Sequence, residues 1–174
     1  LVAVLLGLVA LLGPAEPALG APLSLAPAVP GGGWPLAGAP RVLRPFEAPA
    51  SRYGPGHRGV DLAARVGTPV LAALGGRVAF AGMVAGRGVV SVDTGGLRTT
   101  YEPVAAQVRA GDLVSRGAPL GVLTGGAHCR QPCLHWGLRS GQDYLDPLRV
   151  LRSADGVALV PAGHRTRVAR AAAE

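Results

Sequence analysis

From Arg41 to about Arg152, apolar residues occur only in short runs, and glycine-rich turns separate those runs every eight to twelve residues. This punctuation limits the fold more than any other feature. No run in that span sustains a helical period over three turns, whereas short runs bounded by turn residues suit strands. The runs are Thr68-Pro69-Val70-Leu71, Arg77-Val78-Ala79-Phe80, Val89-Val90-Ser91-Val92, Leu97-Arg98-Thr99-Thr100-Tyr101, Leu113-Val114, Pro119-Leu120-Gly121-Val122-Leu123 and Leu134-His135-Trp136-Gly137-Leu138. Thr94-Gly95-Gly96 lies between two of them and reads as a hairpin turn. The predicted fold is all-β, an antiparallel sheet domain of about 110 residues over 41–152, enough for one core. With 27 Gly and 16 Pro in 174 residues, a helical bundle or coiled coil is excluded. A mean hydropathy of +0.34 excludes a charged, disordered chain.

The two ends read differently. Leu1–Leu12 is an uninterrupted apolar run, closed by Pro14 and Pro17 and followed by the small-residue site Ala18-Leu19-Gly20. The run is shorter than the roughly 20 residues a membrane span needs. Residues 1–20 are therefore expected to be a secretory signal, N-terminally truncated and cut before Ala21, with no stable membrane insertion afterwards. Residues 21–40 hold five Pro and four Gly and read as a linker with little capacity to pack. Residues 153–174 read as a basic tail, with a short helix expected near 165–174.

Charge narrows the partners. All 17 basic residues are arginine, and ten acids leave a net charge of +7. A basic surface suits an anionic partner such as nucleic acid, a membrane surface or a cell-wall polymer. The same composition also follows from a bias toward arginine codons, because the arginines are scattered. Nucleic acid is the poorer choice, since basic residues do not cluster with aromatics. An exported basic protein fits an anionic cell wall better. Val108–Val122 also resembles the hairpins of biotin- and lipoyl-carrier domains. Those need a modifiable lysine, and the chain has none.

Three short pieces carry chemistry. In Gly56-His57-Arg58-Gly59-Val60-Asp61, glycines let the backbone bring His57 and Asp61 toward one point. In Cys133-Leu134-His135-Trp136, a strand would turn Cys133 and His135 to one face and Leu134 and Trp136 to the other. His57, Asp61 and His135 then form a His2Asp set, and three protein ligands plus a water is the pattern of a catalytic zinc. Leu97–Tyr101, followed by Glu102-Pro103-Val104, supplies a strand that could flank this site. Cys129 and Cys133 suit a disulfide in an oxidising compartment, with metal ligation as the alternative.

Taken in order, these pieces resemble the M23 family of zinc peptidases, which includes lysostaphin-like and LytM-type cell-wall endopeptidases. The similarity runs over about residues 44–151. It rests on Gly56–Asp61, Gly67-Thr68-Pro69-Val70, Gly75-Gly76-Arg77-Val78, Thr99-Thr100-Tyr101, Val108–Val114, Gly117, Pro119-Leu120-Gly121, Leu134–Arg139 and Tyr144–Leu148. The resemblance implies a β-sheet core, a Zn2+ ion held by His57, Asp61 and His135, and cleavage of peptidoglycan peptides by a secreted or wall-associated protein.

Two positions depart from that family. Its first histidine of the His-x-His motif is Cys133 here, and its histidine in a Tyr-x-His stretch is Pro103. Three outcomes stay open. Zinc acts with Glu102 or His128 transferring protons; Cys133 becomes a fourth, thiolate ligand and closes the site; or Cys133 is tied to Cys129 and the domain binds wall peptides without cutting. Tyr101, Trp136 and Arg139 are expected at the substrate cleft, although Trp136 also suits the core.

Overall fold

The computed structural model describes residues 31–151, apart from Arg52 and Ala127. The expected signal over 1–20, the first half of the expected linker and the tail over 153–174 lie outside the described residues. Eleven strands follow one another within the described part. They are β1 (Val42–Arg44), β2 (Gly59–Ala63), β3 (Pro69–Leu71), β4 (Gly76–Val84), β5 (Arg87–Thr94), β6 (Leu97–Glu102), β7 (Val104–Ala106), β8 (Leu113–Val114), β9 (Pro119–Leu123), β10 (Cys133–Ser140) and β11 (Asp143–Leu145). A 3-10 turn over Pro147–Leu151 closes the domain.

The main sheet has the order β1-β2-β10-β6-β5-β4-β8, with β11 also paired to β10. A second sheet has the order β3-β9-β7. Every strand pair is antiparallel. The turn between β5 and β6 forms where glycine allows it: Gly95 and Gly96 have φ of 51° and 91°, a left-handed pair that suits a tight hairpin.

Alternation along the central strands divides the main sheet into two faces. Val60 and Leu62 of β2, Leu134, Trp136 and Leu138 of β10, and Leu97, Thr99 and Tyr101 of β6 are buried on one face. Val70, Leu120, Leu123 and Val104 of the second sheet are buried in the same core. The other face carries Asp61, His135 and Glu102 in one row, because Asp61 is paired with His135 and His135 with Glu102. The fold thus lays three polar side chains side by side across three strands.

The linker reading needs correction over 31–36. Gly32 N–H donates to the Val150 carbonyl, Gly33 N–H to that of Ala73, and Leu71 N–H to that of Pro35. Leu36 is buried in the core, and Trp34 packs tilted on Trp136 with ring centroids 6.3 Å apart. Proline and glycine do not prevent packing where the backbone is hydrogen-bonded to the domain. Gly32 even requires its hydrogen, since a Cβ there would stand 2.7 Å from a Val150 methyl.

Candidate metal centre

His57, Asp61, His128 and His135 bring their ligand atoms within 4.8 Å of one another. Two of the four stand on paired strands: Asp61 on β2 and His135 on β10. The other two come from loops, and each loop is tethered. His57 exchanges backbone hydrogen bonds with Glu47, at 3.0 and 2.9 Å. Glu47 in turn accepts two hydrogen bonds from the Arg44 guanidinium, at 3.2 and 2.8 Å. His128 adjoins Cys129, which is disulfide-bonded to Cys133 at the start of β10. The structure thus selects the disulfide from the two fates open to these cysteines.

The hydrogen bonds fix the chemistry of the donors. His57 Nδ1 lies 2.6 Å from the Pro45 carbonyl oxygen. That oxygen only accepts, so Nδ1 carries the proton and Nε2 turns a lone pair inward. Nε2 then stands 3.1 Å from Asp61 Oδ1 and 3.1 Å from His135 Nδ1. His135 Nδ1 is 2.8 Å from the same carboxylate oxygen. A lone pair facing a carboxylate is repulsive unless positive charge lies between them. Zinc bonds of roughly 2.0–2.1 Å place neighbouring ligand atoms of a tetrahedral ion about 3.3 Å apart. The triangle of His57 Nε2, Asp61 Oδ1 and His135 Nδ1 is close to that size, so the donor set fits a divalent cation.

Asp61 gathers the cluster. Burial pushes its carboxyl up, but the histidines that face it outweigh burial and hold it below the usual carboxylate range. Its second oxygen, Oδ2, accepts from His128 Nε2 at 2.9 Å. The histidines differ in access. The side chains of His57 and His135 are 5% and 13% exposed, against 38% for His128. His128 is therefore the solvent-facing ring of the group.

A close approach keeps room for His135. A Cβ on Gly59 would meet the Trp136 carbonyl oxygen and stand 2.7 Å from His135 Nε2. Only a hydrogen fits between β2 and that ring. Beside the cluster opens a groove lined by Arg41, Leu43, Arg44, Asp61, His128 and Arg130.

Other expected site residues fall elsewhere. Tyr101, expected at a cleft, and Trp136, expected at a cleft or in the core, are both fully buried in the core. The Tyr101 hydroxyl donates to Thr99 Oγ1 and accepts from Ala73 N–H, and burial pushes its phenol up to about 12. Arg139 shares the site face but stands four residues beyond His135, where it lies over the Tyr144 ring and donates to the Gly141 carbonyl. Glu102 stands beside His135 in the sheet, yet its carboxylate lies 3.5 Å from the Arg87 guanidinium. The peptide from Glu102 to Pro103 is cis.

The family model of peptidase family M23 matches residues 55–147, a span that contains all four clustered residues. The chain belongs to peptidase family M23. A relative of this M23 domain is the Mycobacterium tuberculosis protein Rv2891, 52% identical over 119 residues, or 64% of this chain and 48% of that protein. The chain thus spans about half the length of the curated relatives it matches. Among solved structures, Helicobacter pylori Csd3 is similar at 30% identity and a TM-score of 0.58, over 70% of this chain and 34% of that one. The catalytic domain of the prophage-encoded M23 protein EnpA from Enterococcus faecalis, in the form of a point mutant, is similar at 25% identity and a TM-score of 0.54, over 66% and 94%. The antiparallel β architecture expected from the strand pattern is the M23 peptidase fold.

Proposed function

We propose that the protein is an exported, zinc-dependent M23 endopeptidase that acts on peptidoglycan peptides during wall remodelling. Family membership supports a peptidase-like function related to peptidoglycan. The observation that carries the finer reading is the convergence of three histidines on the one carboxylate of Asp61. His57, Asp61 and His135 are the proposed ligands of Zn2+. When bound, zinc supplies Lewis-acid chemistry to the peptide carbonyl.

The remaining work falls to the chain's own groups. His128 donates its Nε2 proton to Asp61, which places the basic lone pair of that tautomer on Nδ1. From its solvent-facing position it takes the proton of the attacking water and returns one to the departing amine. Glu102 is the weaker candidate, because its carboxylate is paired with Arg87. Arg41 and Arg130 give the neighbouring groove a positive border for an anionic polymer. Export rests on the apolar run and small-residue site of residues 1–20.

The test is incubation of the zinc-loaded protein with purified peptidoglycan, with a chelator as control. The expected result is release of new amino termini that stops on chelation. A protein that binds about one zinc, as such a site should, but releases none supports a second reading: a wall-binding or regulatory domain that keeps its metal without turnover. Cys133 and Pro103, standing where the family has its non-ligand histidines, favour that reading. Failure to bind zinc at all would overturn both.

A further inference from the structure

We infer that the Cys129–Cys133 disulfide masks a second, thiolate-bearing ligand set at the metal centre, so that reduction converts an open site into a closed one. This rests on the reading of His57, Asp61 and His135 as metal ligands.

Three observations carry it. First, the sulfur atoms of Cys129 and Cys133 and a carboxylate oxygen of Asp61 all lie within 4.8 Å of one another. Zinc–sulfur and zinc–oxygen bonds of about 2.3 and 2.0 Å place two ligands of one tetrahedral ion about 3.5 Å apart. A rotation about χ1, free once the sulfur–sulfur bond is gone, covers the difference. Second, Cys133 lies two residues before His135 on β10, so both side chains leave the same face of the strand, while Leu134 and Trp136 are buried on the other. Third, the bridge spans four residues. It ties the loop of His128, which adjoins Cys129, to the strand that carries His135.

The chemistry balances as a two-electron exchange. A dithiol reductant attacks the bridge, the Sγ–Sγ bond breaks, each sulfur ends as a thiol, and the reductant leaves as a disulfide. A Cys133 thiol that gives up its proton to solvent then joins His57, Asp61 and His135 as a fourth protein ligand. A site with four protein ligands has the closed form of a structural zinc centre and no position for substrate. The same cleavage releases the His128 loop from β10. A disulfide oxidant, itself reduced to two thiols by exchange, restores the bridge and reopens the site.

The experiment uses the protein loaded with cobalt(II), first oxidised, then after treatment with a phosphine that is removed before metal is added. The oxidised protein should take up cobalt without a sulfur-to-cobalt charge-transfer band. The reduced protein, with two thiols confirmed by titration, should gain that band and lose peptidoglycan hydrolysis; reoxidation should reverse both. The Cys129→Ser/Cys133→Ser variant should gain no band under any treatment. An unchanged spectrum in the reduced protein overturns this inference alone. Failure of the oxidised protein to take up cobalt overturns the metal centre and the inference with it.

Discussion

At the scale of the residue, the proposed turnover rests on His128. It is the one ring of the cluster with substantial exposure, and it reaches Asp61 from a loop rather than from the sheet. His128→Ala should lower kcat roughly 10²- to 10⁴-fold while zinc content stays unchanged. Steady-state kinetics with metal analysis checks both halves, and loss of zinc instead would make His128 a ligand. The sequence carried only a thin signal for this residue: it adjoins a cysteine five positions ahead of β10 in a loop, and no periodicity places a loop histidine. Tyr101 fails in the opposite direction. It is aromatic beside a polar neighbour, so either face of its strand suits it, and a change of face follows from one step in register. The packing of the second sheet against β6, which no local pattern reports, turns its ring inward. Trp136 takes the core position that its alternation with His135 left open.

At the scale of the element, β10 organises the site. It is the partner of both β2 and β6, and so sets Asp61 and Glu102 on either side of His135. The face shared by Cys133 and His135 was legible from the two-residue period alone, because apolar Leu134 and Trp136 alternate with them. The pairing of Asp61 with His135 was not, since they are 74 residues apart and register over that separation depends on every intervening turn. The ordered resemblance to M23 supplied what the pattern could not. The fit between β2 and β10 yields a test. In Gly59→Ala the new methyl meets the Trp136 carbonyl and the His135 ring. Displacement of this proposed ligand should weaken zinc binding by about 10- to 100-fold, the range for disturbed ligand support, as read by chelator competition.

At the scale of the whole molecule, the domain extends further toward the N-terminus than composition suggests. Five prolines and four glycines over 21–40 have the character of a spacer, and composition alone cannot tell a spacer from a strap. What makes it a strap over 31–36 is a set of backbone hydrogen bonds to Ala73, Val150 and Leu71, together with Trp34 against Trp136. Trp34→Ala should therefore destabilise the domain by about 2 kcal/mol, less than the 3–5 expected for a fully buried ring. Urea unfolding should show this as a lower midpoint with little change in slope. A true spacer would show no change. The class of fold was legible because glycine-bounded short runs leave few alternatives to antiparallel sheet.

The groove beside Asp61 and His128 is bordered by Arg41, Arg44 and Arg130, in a chain without a single lysine. An ammonium would surrender its proton in alkaline surroundings and could be acylated; a guanidinium does neither under ordinary conditions. The arginine charge of this rim therefore keeps its sign across the habitable range of acidity. Dissolved ions that crowd between the rim and a polyanion weaken its pull. On the proposed function, attraction to the wall would follow the salinity of the medium, while the metal centre would remain free to answer to other signals.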